Sequence, residues 1–197
     1  MPFVDTVAED AATGDLAAIY EESRAQSGYV QNLARVFSLR PEVFRAWQQL
    51  NAAVKAHDLR RYELATLAAA RRLRSSYCAL AHGKVLAEQF FSADEVPLLP
   101  EGLDEADRAV MELAEQVVDD ATAVTRDDID RLRSLGLDDG QIVDVVLAAA
   151  ARCFFSKVLD ALGAEPDAAY SELPATLRDP LTVGRPIEVP APADVGA

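Results

Sequence analysis

The sequence predicts an all-α fold, and three observations support this prediction. Half of the 197 residues are hydrophobic, only 7% are aromatic, and alanine supplies much of the apolar total. Alanine is the best helix former and a poor strand former. Apolar residues also recur at helical spacing along most of the chain, and no convincing pair of strands is present. We therefore expect a bundle of closely packed helices.

The first part of the chain contains several predicted helical segments. Thr13 is a candidate N-cap for a helix over residues 15–26, which Gly28 ends. A shorter apolar piece follows over residues 29–39. Pro41 then suits the first position of the next helix, because its missing N–H and fixed φ are both tolerated there.

The central segment predicts a helical hairpin over residues 58–91. Asp58 is a candidate N-cap, and the pair Ser75-Ser76 interrupts the helical pattern that follows it. Serine hydroxyls compete for backbone groups and suit an N-cap better than a helix interior. We therefore expect two helices, over residues 59–73 and 76–91, joined at residues 74–76.

The second half repeats this pattern and ends in a different kind of segment. Asp104, Thr125 and Asp138 are each placed to cap a helix, and the last of these helices should be long and apolar, to about Leu162. Residues 1–170 are expected to form a single domain of two related helical-hairpin halves. Five prolines and no helical period predict an extended tail over residues 171–197.

Composition excludes several classes of protein. The formal net charge of −14 would repel a phosphate backbone, so no nucleic-acid partner is expected. No stretch approaches the roughly 18–20 uninterrupted apolar residues of a membrane span, and the acidic N-terminus lacks the features of a secretion signal. Two cysteines make no disulfide framework. The expectation is a cytoplasmic protein with reduced thiols and no membrane partner.

The stretch SSYCALAH, residues 75–82, is the candidate site. Cys78 would lie in the first helical turn, where free N–H groups and the helix dipole favour an anion. His82 stands four residues later, on the same helix face, and could take the thiol proton. Arg71, Arg72 and Arg74 make the preceding turn basic, which would also favour the thiolate of Cys78. If the hairpin is antiparallel, Glu63 lies close enough to orient the imidazole.

Other interpretations of these residues remain open. A lone cysteine on an alanine-rich helix is commonly a core residue. Metal binding would need further ligands, and beyond carboxylates only Cys153 and His57 remain, so no metal and no cofactor is expected. Cys153 lies among apolar residues of the last long helix and is also a candidate core residue. Ser75 is interpreted as a cap rather than a nucleophile.

The same residues carry a family resemblance. Glu63, Ser75, Tyr77, Cys78 and His82 resemble the core motif of the carboxymuconolactone decarboxylase and alkylhydroperoxidase D-like superfamily. The segments GDLAAIYEE, GYVQNLARVFSLRPEVF, TRDDIDRLRSLGLDDGQIVDVV and DALGAEPDA are similar to its subgroup of peroxidase-related enzymes, over roughly residues 3–190. The resemblance implies an alkylhydroperoxidase D-like helical fold that assembles as a homo-oligomer, a trimer or a hexamer.

The resemblance also implies a chemistry and one departure from it. Redox members carry Cys-x-x-Cys-x-x-x-His and reduce hydroperoxides, with a disulfide forming between the two cysteines. Cys78, His82 and Glu63 match the nucleophile, the base and the orienting group, and Tyr77 would donate a hydrogen bond to the leaving oxygen. Ser75 replaces the first cysteine and cannot resolve a sulfenic acid. The resolving partner would be an external thiol reductant or Cys153.

Three functions are therefore considered from the sequence. The first is a thiol peroxidase in which Cys78 attacks a hydroperoxide. The second is a decarboxylase of a small lactone acid, which could use His82 and an arginine and should tolerate loss of Cys78. The third is a non-enzymatic thiol sensor or scaffold, which would show a slow reaction of Cys78 with peroxide.

Overall fold

The computed structural model describes residues 2–55 and 57–189, and these residues form α-helices, short 3₁₀ helices and loops without strands. The all-α prediction is confirmed. Within the described residues the α-helices are α1 (Gly14–Ser27), α2 (Asn32–Val36), α3 (Pro41–Lys55), α4 (Leu59–Arg72), α5 (Ser76–Gln89), α6 (Glu105–Asp120), α7 (Arg126–Ser134), α8 (Asp139–Ala161) and α9 (Ala175–Leu181).

Side-chain caps fix where most of the predicted helices begin. Asp58, Asp104, Thr125 and Asp138 each accept a hydrogen bond from the backbone N–H three residues later, which satisfies a donor that the helix leaves free. These four predicted caps are confirmed. The predicted cap at Thr13 precedes α1, but its side chain makes no capping hydrogen bond.

Helix α4 lies at the centre of the bundle and packs against α5, α6 and α8. Its side chains from Leu67 to Ala70 are completely buried. Alanine leaves little side-chain volume between neighbouring backbones, so several helices can approach α4 at once. The alanine content that predicted helices therefore also explains how one helix acquires three neighbours.

The turn between α4 and α5 positions the candidate site. Arg74 adopts a left-handed conformation with φ of 57°, and the N–H of Ser75 donates to the carbonyl of Ala70. This closes the end of α4 and allows α5 to begin at Ser76, close to the predicted break. The hairpin places the N-terminal turn of α5 beside the interior of the bundle.

The predicted extended tail is wrong for residues 175–181, which form α9. Leu177 and Leu181 are buried, and α9 packs against α5. Gly83 permits this contact, because a Cβ atom there would lie 2.2 Å from Leu181 Cδ1. A single apolar pair in a proline-rich segment is too short a pattern to reveal a helix. Residues 190–197 of the predicted tail lie outside the described residues.

The segment after α9 lies on the start of α5. The N–H of Gly184 donates to Ser76 Oγ at 2.7 Å, and Arg185 donates to the carbonyl of Asp160. None of the helices within residues 2–55 and 57–189 is long and apolar enough to cross a membrane.

Candidate active site

Cys78 lies in the first turn of α5 and lines a cavity of about 390 Å³. The cavity walls come from α3, α5 and α8, together with Leu33 of α2, and most of them are apolar. The lining residues are Leu33, Phe44, Trp47, Gln48, Asn51, Ala52, Lys55, Tyr77, Cys78, Ala81, His82, Arg152 and Phe155. Cys78 is 2% exposed, so the thiol reaches solvent mainly through this cavity.

His82 and Glu63 form the pair that the sequence predicted. His82 Nδ1 lies 2.6 Å from Glu63 Oε2, across the interface between α5 and α4. Glu63 is completely buried, and Lys55 Nζ lies 3.2 Å from its other oxygen, Oε1. The carboxylate therefore faces one imidazole and one ammonium group. The antiparallel hairpin brings the first pair together, and α3 supplies the lysine.

The electrostatics of this pair assign its protonation. Burial raises the pKa of Glu63, but the hydrogen bond with His82 and the charge of Lys55 outweigh burial and hold that pKa below its usual value. Burial lowers the pKa of His82, and the charge of Arg152 lowers it further against the opposing effect of Glu63. His82 is therefore neutral at pH 7. Nδ1–H donates to Glu63, which leaves Nε2 as a proton acceptor.

Arg152 is the site residue that the sequence analysis missed. It projects from α8 and is 4% exposed, with the central carbon of its guanidinium 5.5 Å from the ring centroid of Trp47 and 5.6 Å from that of Phe155. Nη1 donates to Cys78 Sγ at 3.5 Å. A lone arginine in the apolar run LAAAARCFF was the available signal, because a charge on the buried face of a helix requires a partner.

Tyr62 fixes the other side of the guanidinium. Its hydroxyl accepts from Arg152 Nη2 at 3.2 Å and donates to Asn51 Oδ1 at 2.6 Å. Its ring packs edge-on against the imidazole of His82, with ring centroids 5.8 Å apart. One tyrosine thus contacts both polar groups that flank the thiol, which limits their movement.

Tyr77 lines the cavity, but its hydroxyl serves another purpose. That hydroxyl donates to Asp167 Oδ2 and accepts from the backbone N–H of Leu33. Asp167 also accepts from the N–H of Asn32 at 2.7 Å. The single hydroxyl proton of Tyr77 is occupied, so the geometry does not support the predicted role as donor to a leaving oxygen. The group ties α5 to α2 and to the segment after α8.

The basic turn predicted to act on Cys78 has other partners. Arg71 donates to the carbonyls of Val96 and Leu99, Arg72 pairs with Asp119, and Arg74 lies at 3.4 Å from the carbonyl of Val183. These contacts attach α4 and the hairpin turn to neighbouring segments. None of the three arginines lines the cavity of Cys78.

Cys153 is placed away from the cavity. It lines a separate open groove with Phe154, Lys157, Val158, Ala161 and Leu162. Burial raises the pKa of this thiol, with a smaller opposing effect from Lys157. The structure therefore does not bring the two cysteines together. Within the described ranges, no group of three or more histidine, cysteine or acidic side chains could hold a metal ion.

Comparisons with known proteins connect this geometry to a fold. No protein-family model matches the sequence, and no curated protein matches it. Solved structures do match. One is the AhpD core of an uncharacterised peroxidase-related protein from Ralstonia eutropha, with TM-score 0.76 and 22% identity, over 86% of this chain and 94% of that one. Another is an uncharacterised peroxidase-related protein from a Silicibacter species, with TM-score 0.69 and 18% identity, over 87% and 92%.

A third match is named for an enzymatic activity. The debrominase Bmp8, solved as a cysteine-to-alanine variant with 2,3,4-tribromopyrrole, has TM-score 0.72 and 13% identity, over 91% of this chain and 100% of that one. At these identities the likeness defines the fold and not the reaction. The neighbours are AhpD-core and peroxidase-related structures, in agreement with the sequence resemblance, and the chain has the alkylhydroperoxidase D-like helical fold.

Proposed function

We propose that this protein is a thiol-dependent peroxidase that reduces hydroperoxides through Cys78. The observation that carries the proposal is the placement of one thiol, a buried cation and a neutral histidine around a single, mostly apolar cavity, with the Glu63 carboxylate bonded to the histidine. A thiolate is the nucleophile in such reactions, and a neutral imidazole is a suitable proton acceptor. Two neighbours of the same fold are described as peroxidase-related proteins, which agrees with this proposal.

The proposed reaction has two stages. The Cys78 thiol loses its proton to His82 Nε2, and the thiolate attacks the terminal oxygen of the hydroperoxide. An S–O bond forms, the O–O bond breaks, and the alkoxide leaving group takes a proton back from His82 to become an alcohol. The sulfur is now a sulfenic acid. Glu63 holds the imidazole by Nδ1 and stabilises the transient imidazolium.

An external thiol would complete the cycle. Ser75 supplies no sulfur, and Cys153 lines a separate groove. One external thiol attacks the sulfenic acid and releases water, and a second reduces the mixed disulfide and regenerates the Cys78 thiol. The reducing thiol pool expected for a cytoplasmic protein could supply both.

Cys78→Ser is the direct test, with Cys153→Ser as its matched control. The assay follows consumption of cumene hydroperoxide and hydrogen peroxide in the presence of a dithiol, and traps the sulfenic acid with dimedone for mass spectrometry. We expect activity and the adduct to be lost only in Cys78→Ser, and His82→Gln to slow the peroxide step. Equal activity in both serine variants would overturn the proposal, and a slow reaction independent of His82 would favour the thiol sensor or scaffold.

A second candidate function is reductive dehalogenation of a small aromatic compound. The observation in its favour is the aromatic wall beside the thiol, where the rings of Trp47 and Phe155 stack with centroids 4.5 Å apart. The net reaction would exchange a carbon–bromine bond for a carbon–hydrogen bond, with two electrons from thiols. Bromide release from a bromopyrrole, without turnover of hydroperoxide, would favour this candidate. A decarboxylase of a small lactone acid would instead keep its activity in the Cys78→Ser variant.

We also propose that the chain forms a homo-oligomer, a trimer or a hexamer, through the outer face of α8. Val143, Leu147 and Phe154 are 54%, 43% and 44% exposed and lie on one side of the helix. The open groove at Cys153 continues this face. A row of large apolar side chains on the outer face of a helix, opposite its buried face, is typical of an interface between subunits.

A further inference from the structure

We propose that Arg152 is the cation that holds Cys78 as a thiolate, and that the three arginines of the α4–α5 turn do not serve this purpose. The inference rests on the proposed function in so far as it takes Cys78 as the reacting group. It adds a residue from α8 to the groups that activate Cys78, which the sequence assigned to α4, α5 and the turn between them. Because Arg152 acts through the sulfur, it is a positioning residue.

The first step of the argument is the missing counter-charge of Arg152. Across residues 2–55 and 57–189, no carboxylate forms an ion pair with this guanidinium, and its Nε makes no hydrogen bond. Its polar contacts in that range are Cys78 Sγ and the hydroxyl of Tyr62. A buried charge without an anion is costly. The thiolate form of Cys78 supplies that anion, which makes the two ionised forms mutually stabilising.

The second step is that the guanidinium cannot easily turn away. The rings of Trp47 and Phe155 lie within 5.6 Å of its central carbon. The hydroxyl of Tyr62 accepts from Nη2 and is itself anchored on Asn51. These contacts leave Nη1 directed at the sulfur. A planar, permanently charged group fixed in this way is suited to hold an anion throughout a reaction cycle.

The third step excludes the alternative cation, His82. An imidazolium would stand in a buried site that already contains Arg152, and both burial and this neighbouring charge lower the pKa of His82. His82 is therefore free to accept protons, while Arg152 provides the permanent charge. The titratable and charged groups that surround the thiol are Lys55 of α3, Tyr62 and Glu63 of α4, Tyr77 and His82 of α5, Arg152 of α8, and Tyr170 in the segment after α8.

The test measures the thiolate without any peroxide. In a Cys153→Ser background, Cys78 is the sole remaining thiol of the chain, and its alkylation by iodoacetamide is followed from pH 5 to 9. Alkylation rate reports the thiolate fraction. We compare Arg152→Met, which removes the charge, and Arg152→Lys, which keeps it, with Arg74→Gln as the control for the basic turn. Circular dichroism and thermal melts check that each variant is folded.

We expect Arg152→Met to slow alkylation at pH 6.5 by at least about tenfold, since an adjacent opposite charge shifts such equilibria by about one to three pH units. The loss should shrink toward pH 9, where the thiol ionises unaided. The alkylation rate of Arg152→Lys should lie between those of the parent and Arg152→Met, and that of Arg74→Gln should match the parent. His82→Gln should shift the pH profile less than Arg152→Met does.

Three results would overturn the inference. They are an unchanged profile in folded Arg152→Met, an equal shift in Arg74→Gln, or a parent protein whose profile is that of free cysteine. The last result requires no variant, so it stands even if Arg152→Met does not fold. A shifted alkylation profile without reaction with hydroperoxide would leave Arg152 in its role and refute the proposed peroxidase.

Discussion

Replacing Glu63 by glutamine tests the site through stability as well as reactivity. The substitution keeps the side-chain shape and removes one buried negative charge. Glu63 is completely buried and meets His82 at 2.6 Å, whereas Lys55 at 3.2 Å is 41% exposed. The contact with His82 should therefore account for most of the effect.

The magnitude follows from these two contacts. A hydrogen bond to a charged group contributes about 1.5–3 kcal/mol. The contact with Lys55 contributes about 0–1 kcal/mol because that ammonium is partly solvated. Relief of the cost of burying the carboxylate offsets part of the sum. We expect a net loss of about 1–3 kcal/mol, which for a domain of this size lowers Tm by roughly 2–12 °C.

The pH dependence gives a sharper test than the Tm itself. The pKa of Glu63 is lowered in the folded protein, so its stabilising effect is present above the unfolded pKa and is lost as pH falls through the folded pKa. The difference between parent and Glu63→Gln should therefore be largest near pH 7 and shrink as pH falls below about 4.5.

The assay is urea unfolding from pH 7 to pH 3, with Glu115→Gln as the matched control. Burial raises the pKa of Glu115, so loss of its charge should leave stability at pH 7 equal or increased. A parent–Glu63→Gln difference that is zero at pH 7, or constant over the whole range, would refute the assigned Glu63–His82 pair. Peroxide reactivity of the same variant should fall by about 10²–10⁴-fold if His82 is the general base.

Three further predictions concern single residues. The pKa of His82 is lowered in the folded protein, so as pH falls below about 6.5 the unfolded state takes up this proton before the folded state does, and the parent should lose stability. In urea titrations His82→Asn should reduce this loss. An unchanged dependence of stability on pH would contradict the assignment of His82 as neutral. Cys153→Ser should keep the proposed peroxidase activity within about twofold, because Cys153 lines a separate groove and takes no part in the contact between Cys78 and Arg152. A tenfold loss would restore Cys153 as a resolving group. Leu147→Glu should reduce the oligomer mass in light scattering, since it places a charge on the apolar face of α8, whereas the exposed Glu101→Gln should not; equal masses would remove that face from the interface.

The helices and half of the site follow from local sequence signals. Caps at Asp58 and Asp138 act within three residues, and the spacing of Cys78 and His82 is fixed by one helix. Glu63 required only the assumption that consecutive helices turn back on each other, which a short connection favours. Such features depend on few residues close in the chain, and a single sequence is enough to predict them.

The remaining contacts of the site depend on the packing of distant helices. Arg152 is 74 residues from Cys78, and Asp167 is 90 residues from Tyr77. No spacing rule relates such pairs, because the rotation of α8 about its axis decides whether Arg152 or Cys153 faces the interior. That rotation is set by the whole apolar face of α8. From the sequence, the three arginines of the α4–α5 turn were the cations nearest to Cys78 along the chain. In the structure their side chains bond to carbonyls and a surface carboxylate instead.

The burial of Ser75 has a kinetic consequence for the proposed cycle. Ser75 is completely buried. The N–H of Gly184 donates to the hydroxyl of the next residue, Ser76, and Arg185 donates to the carbonyl of Asp160. The sulfur of Cys78 instead faces the cavity of about 390 Å³ that the hydroperoxide would enter. A reductant must reach the sulfenic acid by this same route. The two substrates should therefore exclude each other and follow ping-pong kinetics, with each inhibiting the other competitively at high concentration.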